Sequence, residues 1–297
     1  MTATAQSPYR GRFAPSPTGP LHMGSLLAAL ASFLDARHNS GSWLVRMEDL
    51  DPPREEAGAA ARILDSLQSH GLHWDGDVLF QSRRGAAYAA ALEQLAAAGQ
   101  LFSCDCSRAL LGPDGACCGN CRERQGLLAG PTATRVAVPP SCHIEFADQI
   151  QGLVANALGA AAADFVVKRK DGLDAYQLAV VVDDAWQGVG HVVRGSDLLD
   201  STPRQIFLQQ LLGHPTPSYS HIPVLSDASG QKLSKQSHAA ALDDQQAPAN
   251  LRAALGFLYQ REPPLELATT REILAFATRC WAPRNIPAVL SISATSR

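Results

Sequence analysis

The sequence predicts an α/β fold with a parallel sheet, and three observations carry that expectation. Strand-like and helical patterns alternate along most of the chain, and the first strand runs through a proline-rich loop straight into a helix. With 297 residues, 46% of them hydrophobic, the chain is long enough to bury a sizeable core.

Taken in order, Tyr9 to Ala14 reads as a short strand, and Pro15-Ser16-Pro17-Thr18-Gly19-Pro20 forbids its continuation as strand or helix. Leu26, Leu27, Leu30, Phe33 and Leu34 then recur at helical spacing until His38-Asn39-Ser40-Gly41. A second strand, Trp43 to Met47, leads into Glu48-Asp49-Leu50-Asp51, and Asp51-Pro52-Pro53 suits the start of an alanine-rich helix ending at His70 before Gly71. Another helix is expected from Gly85 to Ala98. From Leu101 to Pro140 the alternation gives way to a Cys-, Gly- and Pro-rich stretch that reads as an insertion. Asp164 to Lys168 and Tyr176 to Val182 are expected to pair as strands around Asp171-Gly172. A strand at His191 to Arg194, a helix over Pro203 to Leu212 and a late strand at His221 to Leu225 follow. The polar loop 226–236, two helices around 249–259 and 270–281, and a Ser-rich tail expected to fray complete the chain.

Charge and cysteine usage narrow the function. With 25 Lys and Arg against 28 Asp and Glu, the formal charge is −3, so no global basic field holds nucleic acid, and any such partner must be gripped locally. The start lacks the apolar stretch of a secretion signal, and no apolar run reaches membrane-spanning length, so the expected location is the cytoplasm, with no membrane partner and a monomer as the default state. Five of the seven cysteines, Cys104, Cys106, Cys117, Cys118 and Cys121, fall within 18 residues, which points to metal before disulfide. Cys142 and Cys280 read as buried apolar residues.

Two loops carry the chemistry. His22-Met23-Gly24-Ser25 lies where the first loop becomes the first helix, so free backbone N–H groups and the positive helix end face an incoming anion. Gly24 lets a nucleotide lie against the backbone, and His22 offers a donor to a phosphate whose charge grows during displacement. About 210 residues later comes Lys232-Leu233-Ser234-Lys235-Gln236, whose flexible ammonium groups suit a migrating triphosphate. Arg83-Arg84, Arg122 with Arg124, and Lys168-Arg169-Lys170 are candidate phosphate contacts, although solvated surface charge explains each equally well.

Arg12-Phe13-Ala14-Pro15-Ser16-Pro17-Thr18-Gly19, His22-Met23-Gly24-Ser25 and Lys232-Leu233-Ser234-Lys235-Gln236 together resemble the two signatures of class I aminoacyl-tRNA synthetases of the glutamyl type. The resemblance runs from about Arg10 to Leu242 and includes Arg46 to Asp51, Tyr176 to Asp184 and Val193 to Asp197. Ser25 and Gln236 depart from the usual last residues of the two signatures. What it implies is a Rossmann-like class I catalytic domain formed by 1–100 and 160–240, an inserted zinc-binding, acceptor-type subdomain at 101–159 and a short helical C-terminal region at 241–297. Only about 60 residues follow Gln236, too few for a large anticodon-binding region, so the chain resembles the shortened, glutamyl-queuosine-forming branch of the family.

That branch implies tRNA-independent activation of L-glutamate with ATP and Mg²⁺ to glutamyl-adenylate, then transfer to the queuosine base in the anticodon of tRNA(Asp). Carried over position by position, His22, Gly24 and Lys235 are the catalytic residues, and His22, Gly24 and Lys232 through Gln236 hold ATP. Arg12 and Arg194 take carboxylate, Glu48 takes the α-amino group, Ser16 and Tyr176 add hydroxyl contacts, and Phe13, Ala14 and Pro15 help shape the floor. Planar guanidinium forks suit carboxylates, which gives the two arginines a physical reason. For one structural zinc the resemblance implies Cys104, Cys106, Cys117 and Cys121, with Cys118 an open substitute for Cys117. A truncated glutamyl-tRNA synthetase charging a tRNA 3′ end and an idle tRNA-binding relative stay open as alternatives.

Overall fold

The computed structural model describes residues 8–112, 115–117, 120–156, 158–159, 164–227 and 240–294. In chain order, β1 (Arg10–Phe13), α1 (Met23–His38), β2 (Ser42–Met47), α2 (Ala59–Ser69), β3 (Leu79–Phe80) and α3 (Gly85–Ala97) form the first half. β4 (Leu101–Cys104), β5 (Ala133–Val136), β6 (Ile144–Asp148), β7 (Gly152–Asn156) and β8 (Phe165–Lys168) follow. The chain continues with α4 (Tyr176–Gln187), β9 (His191–Gly195), α5 (Thr202–Leu212), β10 (Ser218–Ile222), β11 (Val224–Ser226), α6 (Ala247–Phe257), α7 (Thr270–Cys280) and β12 (Ser291–Ser293).

The central strands run parallel, β1 with β2 and β2 with β3, and β6 with β10 and β10 with β9; β7 closes one edge antiparallel to β6. β1 and β9 lie side by side, where the Gly190 N–H donates to the Arg10 carbonyl at 3.0 Å. Both faces are covered. Alternation along a strand sends successive side chains to opposite sides, and Val192 and Val193 of β9 accordingly enter different cores. Val193 joins α1 and the late helices α6 and α7, whereas Val192 joins α3, α4 and α5. Helix α1 is buried along nearly its whole length, because Leu and Ala fill every side of it. It closes at Asn39, and Gly41 must be glycine there: a Cβ would stand 2.4 Å from the Tyr9 carbonyl oxygen. β4, β5 and β8 make a separate antiparallel sheet that carries the cysteine segment.

Five expectations are corrected. Tyr176 to Val182 is the start of helix α4, not a strand. Its Leu178-Ala179-Val180-Val181-Val182 run is buried on every side, so no amphipathic period distinguishes it from a buried strand, and Gly188 ends it in the left-handed conformation at φ 66°. Asp51-Pro52-Pro53 starts only one turn of 3₁₀ helix, and α2 begins later, after Gly58 at φ 75°. Pro223, which lacks the N–H a ladder needs, splits the late strand into β10 and β11. The Ser-rich tail contributes β12, which pairs in parallel with β11, and Trp281 donates to Asp35 of α1 at 2.8 Å. Cys142 and Cys280 are half-buried rather than buried. Among the described residues, no helix is long and apolar enough to cross a membrane.

Candidate active site

A cleft of about 820 Å³ opens beyond the carboxyl ends of β1, β2 and β9, where open α/β sheets bind ligands. Phe13, Ala14, Pro15 and Ser16 line it as β1 runs out, His22 and Gly24 as α1 begins, Glu48 just past β2, and Tyr176 at the first residue of α4. Elements far apart in sequence thus meet around one space.

His22 is the N-cap of α1. Its Nδ1 accepts from the Ser25 N–H at 3.3 Å, which puts the ring proton on Nε2. The first turn of α1 holds no acidic residue to neutralise its positive end, so the dipole and the N–H groups of this turn face the cleft as an anion site. The second expected phosphate element, Lys232, Leu233, Ser234, Lys235 and Gln236, lies outside the described residues. The chain on either side of it is described: Leu225 lines the cleft, and Ala241 forms an antiparallel bridge with His22.

Arg12 and Arg194 do not line the cleft surface; they stand buried behind it. Arg12 meets Asp184 with two nitrogens, Nε to Oδ1 at 3.1 Å and Nη2 to Oδ2 at 3.3 Å. Arg46 shares the same carboxylate at 2.7 Å, reaches Gln187 at 2.8 Å and pairs with Glu48 at 3.4 Å. Burial pushes the Asp184 carboxyl up, but Arg12 and Arg46 outweigh it and hold the group below its usual range. Glu48 goes the other way: burial raises it more than Arg46 and Arg12 lower it. The carboxylate that lines the cleft is therefore short of positive charge, and an incoming ammonium group would supply it.

Arg194 donates to His221 at 3.0 Å, to Thr202 at 2.8 Å and to the Tyr176 hydroxyl at 3.4 Å. His221 in turn meets Asp148 at 2.6 Å. Sequence reasoning missed Asp148, Thr202 and His221, and it passed over Arg46 and Asp184 although both fall inside segments it singled out. For Arg46, Asp148 and His221 the signal was a charged or imidazole side chain near the end of a strand, whereas Asp184 and Thr202 lie on helices and gave none. Of the candidate phosphate contacts, Arg84, Arg122 and Arg124 are paired with Asp183, Asp164 and Asp105, while Arg169 lines the cleft and reaches Asp51 at 3.1 Å.

The cysteines converge as a second site. Cys104, Cys106, Cys117 and Cys121 are all buried, with their four sulfurs within 4.8 Å of one another. Sulfur separations of 3.7, 3.9 and 3.4 Å fit the edge of about 3.8 Å that tetrahedral Zn–S bonds of about 2.3 Å require. Burial pushes the Cys104 thiol up and the Cys121 thiol up to about 11. A bound metal would draw the protons off its thiol ligands. Cys118 lies outside the described residues.

The family described as "tRNA synthetases class I (E and Q), catalytic domain" matches residues 9–112 and 121–255. The glutamyl-Q tRNA(Asp) synthetase of Thiobacillus denitrificans is 52% identical, over 93% of this chain and 94% of that relative. That of Pseudomonas fluorescens is 49% identical over 98% of each. In fold, the chain is similar to a glutamate tRNA ligase from Elizabethkingia meningosepticum solved with its amino acid, with a TM-score of 0.79 at 20% identity, over 98% of this chain and 68% of that one. With catalytic-domain motifs spread from β1 to α6 and half of all positions shared with relatives of matching length, the chain belongs to the glutamyl-type class I aminoacyl-tRNA synthetases, in the branch of the glutamyl-Q tRNA(Asp) synthetases.

Proposed function

We propose that the protein activates L-glutamate with ATP in the absence of tRNA and then transfers the glutamyl group to the queuosine base of tRNA(Asp) in the cytoplasm. The observation that carries this reading is the meeting, in one cleft, of the α1 N-terminus with its His22 cap and the side chains of Glu48 and Tyr176, with the guanidinium of Arg194 behind the Tyr176 hydroxyl at 3.4 Å.

In the first step an α-carboxylate oxygen of glutamate attacks the α-phosphorus of ATP; the new O–P bond forms as the bond to the β-phosphate breaks, and pyrophosphate leaves. Glu48 receives the α-ammonium group, Arg12 and Arg194 supply the charge for carboxylate, and Ser16 and Tyr176 add hydroxyl contacts. Phe13, Ala14 and Pro15 form the floor. No protein nucleophile is needed, because alignment and preorganised positive charge lower the barrier. His22 and the first turn of α1 stabilise the developing phosphate charge. Lys232 through Gln236 hold the triphosphate, with Lys235 as the catalytic ammonium group. ATP enters with Mg²⁺, which neutralises phosphate charge when bound. In the second step a hydroxyl of the queuosine cyclopentene-diol attacks the activated carbonyl and AMP leaves.

Cys104, Cys106, Cys117 and Cys121 hold one structural zinc that fixes the segment between β4 and β5. Glutamate-dependent ATP–pyrophosphate exchange without tRNA tests the first step. Exchange that appears only with added tRNA would move the reading to an enzyme that charges a tRNA 3′ end.

A further inference from the structure

Three neighbouring strand ends carry a buried relay that leads to the cleft. β6, β10 and β9 lie side by side in parallel, with His221 in register with Arg194 and Tyr219 in register with Asp148. Asp148 is the last residue of β6, and its Oδ1 is pinned by the backbone N–H groups of Ile150, Gln151 and His221 at 3.0, 2.8 and 3.2 Å. Its Oδ2 accepts from His221 Nδ1 at 2.6 Å, and His221 Nε2 accepts from Arg194 Nε at 3.0 Å.

The direction of these bonds fixes the state of the imidazole. Arginine has no acceptor atom and keeps its proton, so His221 Nε2 must be the acceptor, and Nδ1 must carry the proton shared with Asp148. Burial and the Arg194 charge both press His221 towards this neutral form. With Nε tied to His221 and Nη2 to Thr202 and the Leu198 carbonyl, the guanidinium plane cannot rotate. Nη1 is left beside the Tyr176 hydroxyl, which lines the cleft, and one of its two hydrogens is uncommitted by these contacts. The ring of Tyr219 backs the guanidinium, 5.4 Å from its centroid.

We propose that His221 and Asp148 are positioning residues for the amino-acid substrate: they hold Arg194 in the single orientation that presents Nη1 to a glutamate carboxylate. The inference rests on the assignment of Arg194 to glutamate made above. Neither residue touches substrate, and both act through Arg194. A structural role alone would lower stability or kcat without singling out one substrate, so the test separates the two substrates of activation.

The experiment is ATP–pyrophosphate exchange on the full chain with glutamate and ATP varied in turn. His221→Asn places an amide where Nδ1 stood, keeps the contact with Asp148 and removes the acceptor for Arg194. It should raise the glutamate KM about ten-fold or more, the loss expected for one hydrogen bond to a charged group, and leave the ATP KM within about two-fold. His221→Gln carries its carbonyl out to the Nε2 position and should bring the glutamate KM back to within about three-fold of the parent. Asp148→Asn, which turns an amide N–H towards Nδ1 and drives the imidazole proton to Nε2, should reproduce the Asn defect and carries the test if His221→Asn does not fold. Arg194→Lys is the control. If it raises the glutamate KM while His221→Asn and Asp148→Asn do not, the positioning role is refuted and the glutamate assignment stands. If Arg194→Lys itself leaves the glutamate KM unchanged, the assignment falls, and the proposal with it.

Discussion

His22 forms a β-bridge with Ala241, and the Leu242 N–H donates to the Leu21 carbonyl at 2.9 Å. A residue at the start of the first helix is thus tied to one 219 positions later. Lys235 lies in sequence between β11, whose Leu225 lines the cleft, and Ala241 at the His22 cap.

The two duties of His22 can be separated. Asn is as good an N-cap as any residue but lacks the imidazole. His22→Asn should unfold within about 0.5 kcal/mol of the parent while its exchange rate drops about 100-fold, the usual cost of one preorganised donor. Thermal unfolding and pyrophosphate exchange on the same preparation check both; a stable variant with full activity contradicts the role given to His22.

Asp184 holds Arg12 and Arg46 together in the interior. Removing its charge in Asp184→Asn leaves two buried cations short of a partner, at a cost of about 3–5 kcal/mol. Because the carboxyl is held below its usual range in the folded protein, its stabilisation is present above the unfolded value near about 3.9 and is lost as pH falls through the lower folded value. Denaturant unfolding from pH 7 to pH 3 should therefore show a gap between parent and variant that narrows only at the acid end. A gap constant across that range contradicts the charge argument.

Glu48 must be ionised to receive an ammonium group, and burial lifts it above the usual carboxylate range. Glutamate affinity should be highest above that titration and fall as pH drops through it. The acid limb of kcat/KM for glutamate should lie above the ordinary Glu value of about 4.3 and vanish in Glu48→Gln, leaving a low, flat profile. An acid limb at the ordinary value counts against Glu48 as the ammonium ligand.

Metal analysis of the purified chain should find one zinc, lost in Cys121→Ala and retained in Cys118→Ser. Extraction by a chelator should unfold the cysteine segment, whose sulfurs make the small core with Phe102, ahead of the α1 core. Zinc kept by Cys121→Ala contradicts the four-thiol site.

Much of this was legible in the sequence where the chemistry is local. A proline loop running into a helix marks the anion site because the backbone itself makes it, and five cysteines in 18 residues mark a metal because thiols have few other reasons to gather. The support behind the cleft was not legible. Asp184 meets Arg12 across 172 positions and His221 meets Asp148 across 73, distances at which no spacing rule operates. The valine run of α4 misled for a related reason: burial on every side erases the period that tells helix from strand. Asp183 and Asp184, adjacent in that helix, serve different clusters, Asp183 meeting Gln81, Arg84 and Tyr88.

The central claim is that one cleft makes glutamyl-adenylate and delivers it to a modified anticodon base. Labelled glutamate, ATP and the protein are offered tRNA(Asp) with queuosine and the same tRNA lacking it. Label should enter only the queuosine-bearing tRNA and should stay when its 3′-terminal adenosine is removed beforehand; equal labelling of both tRNAs, or loss of label once that adenosine is removed, would contradict the account.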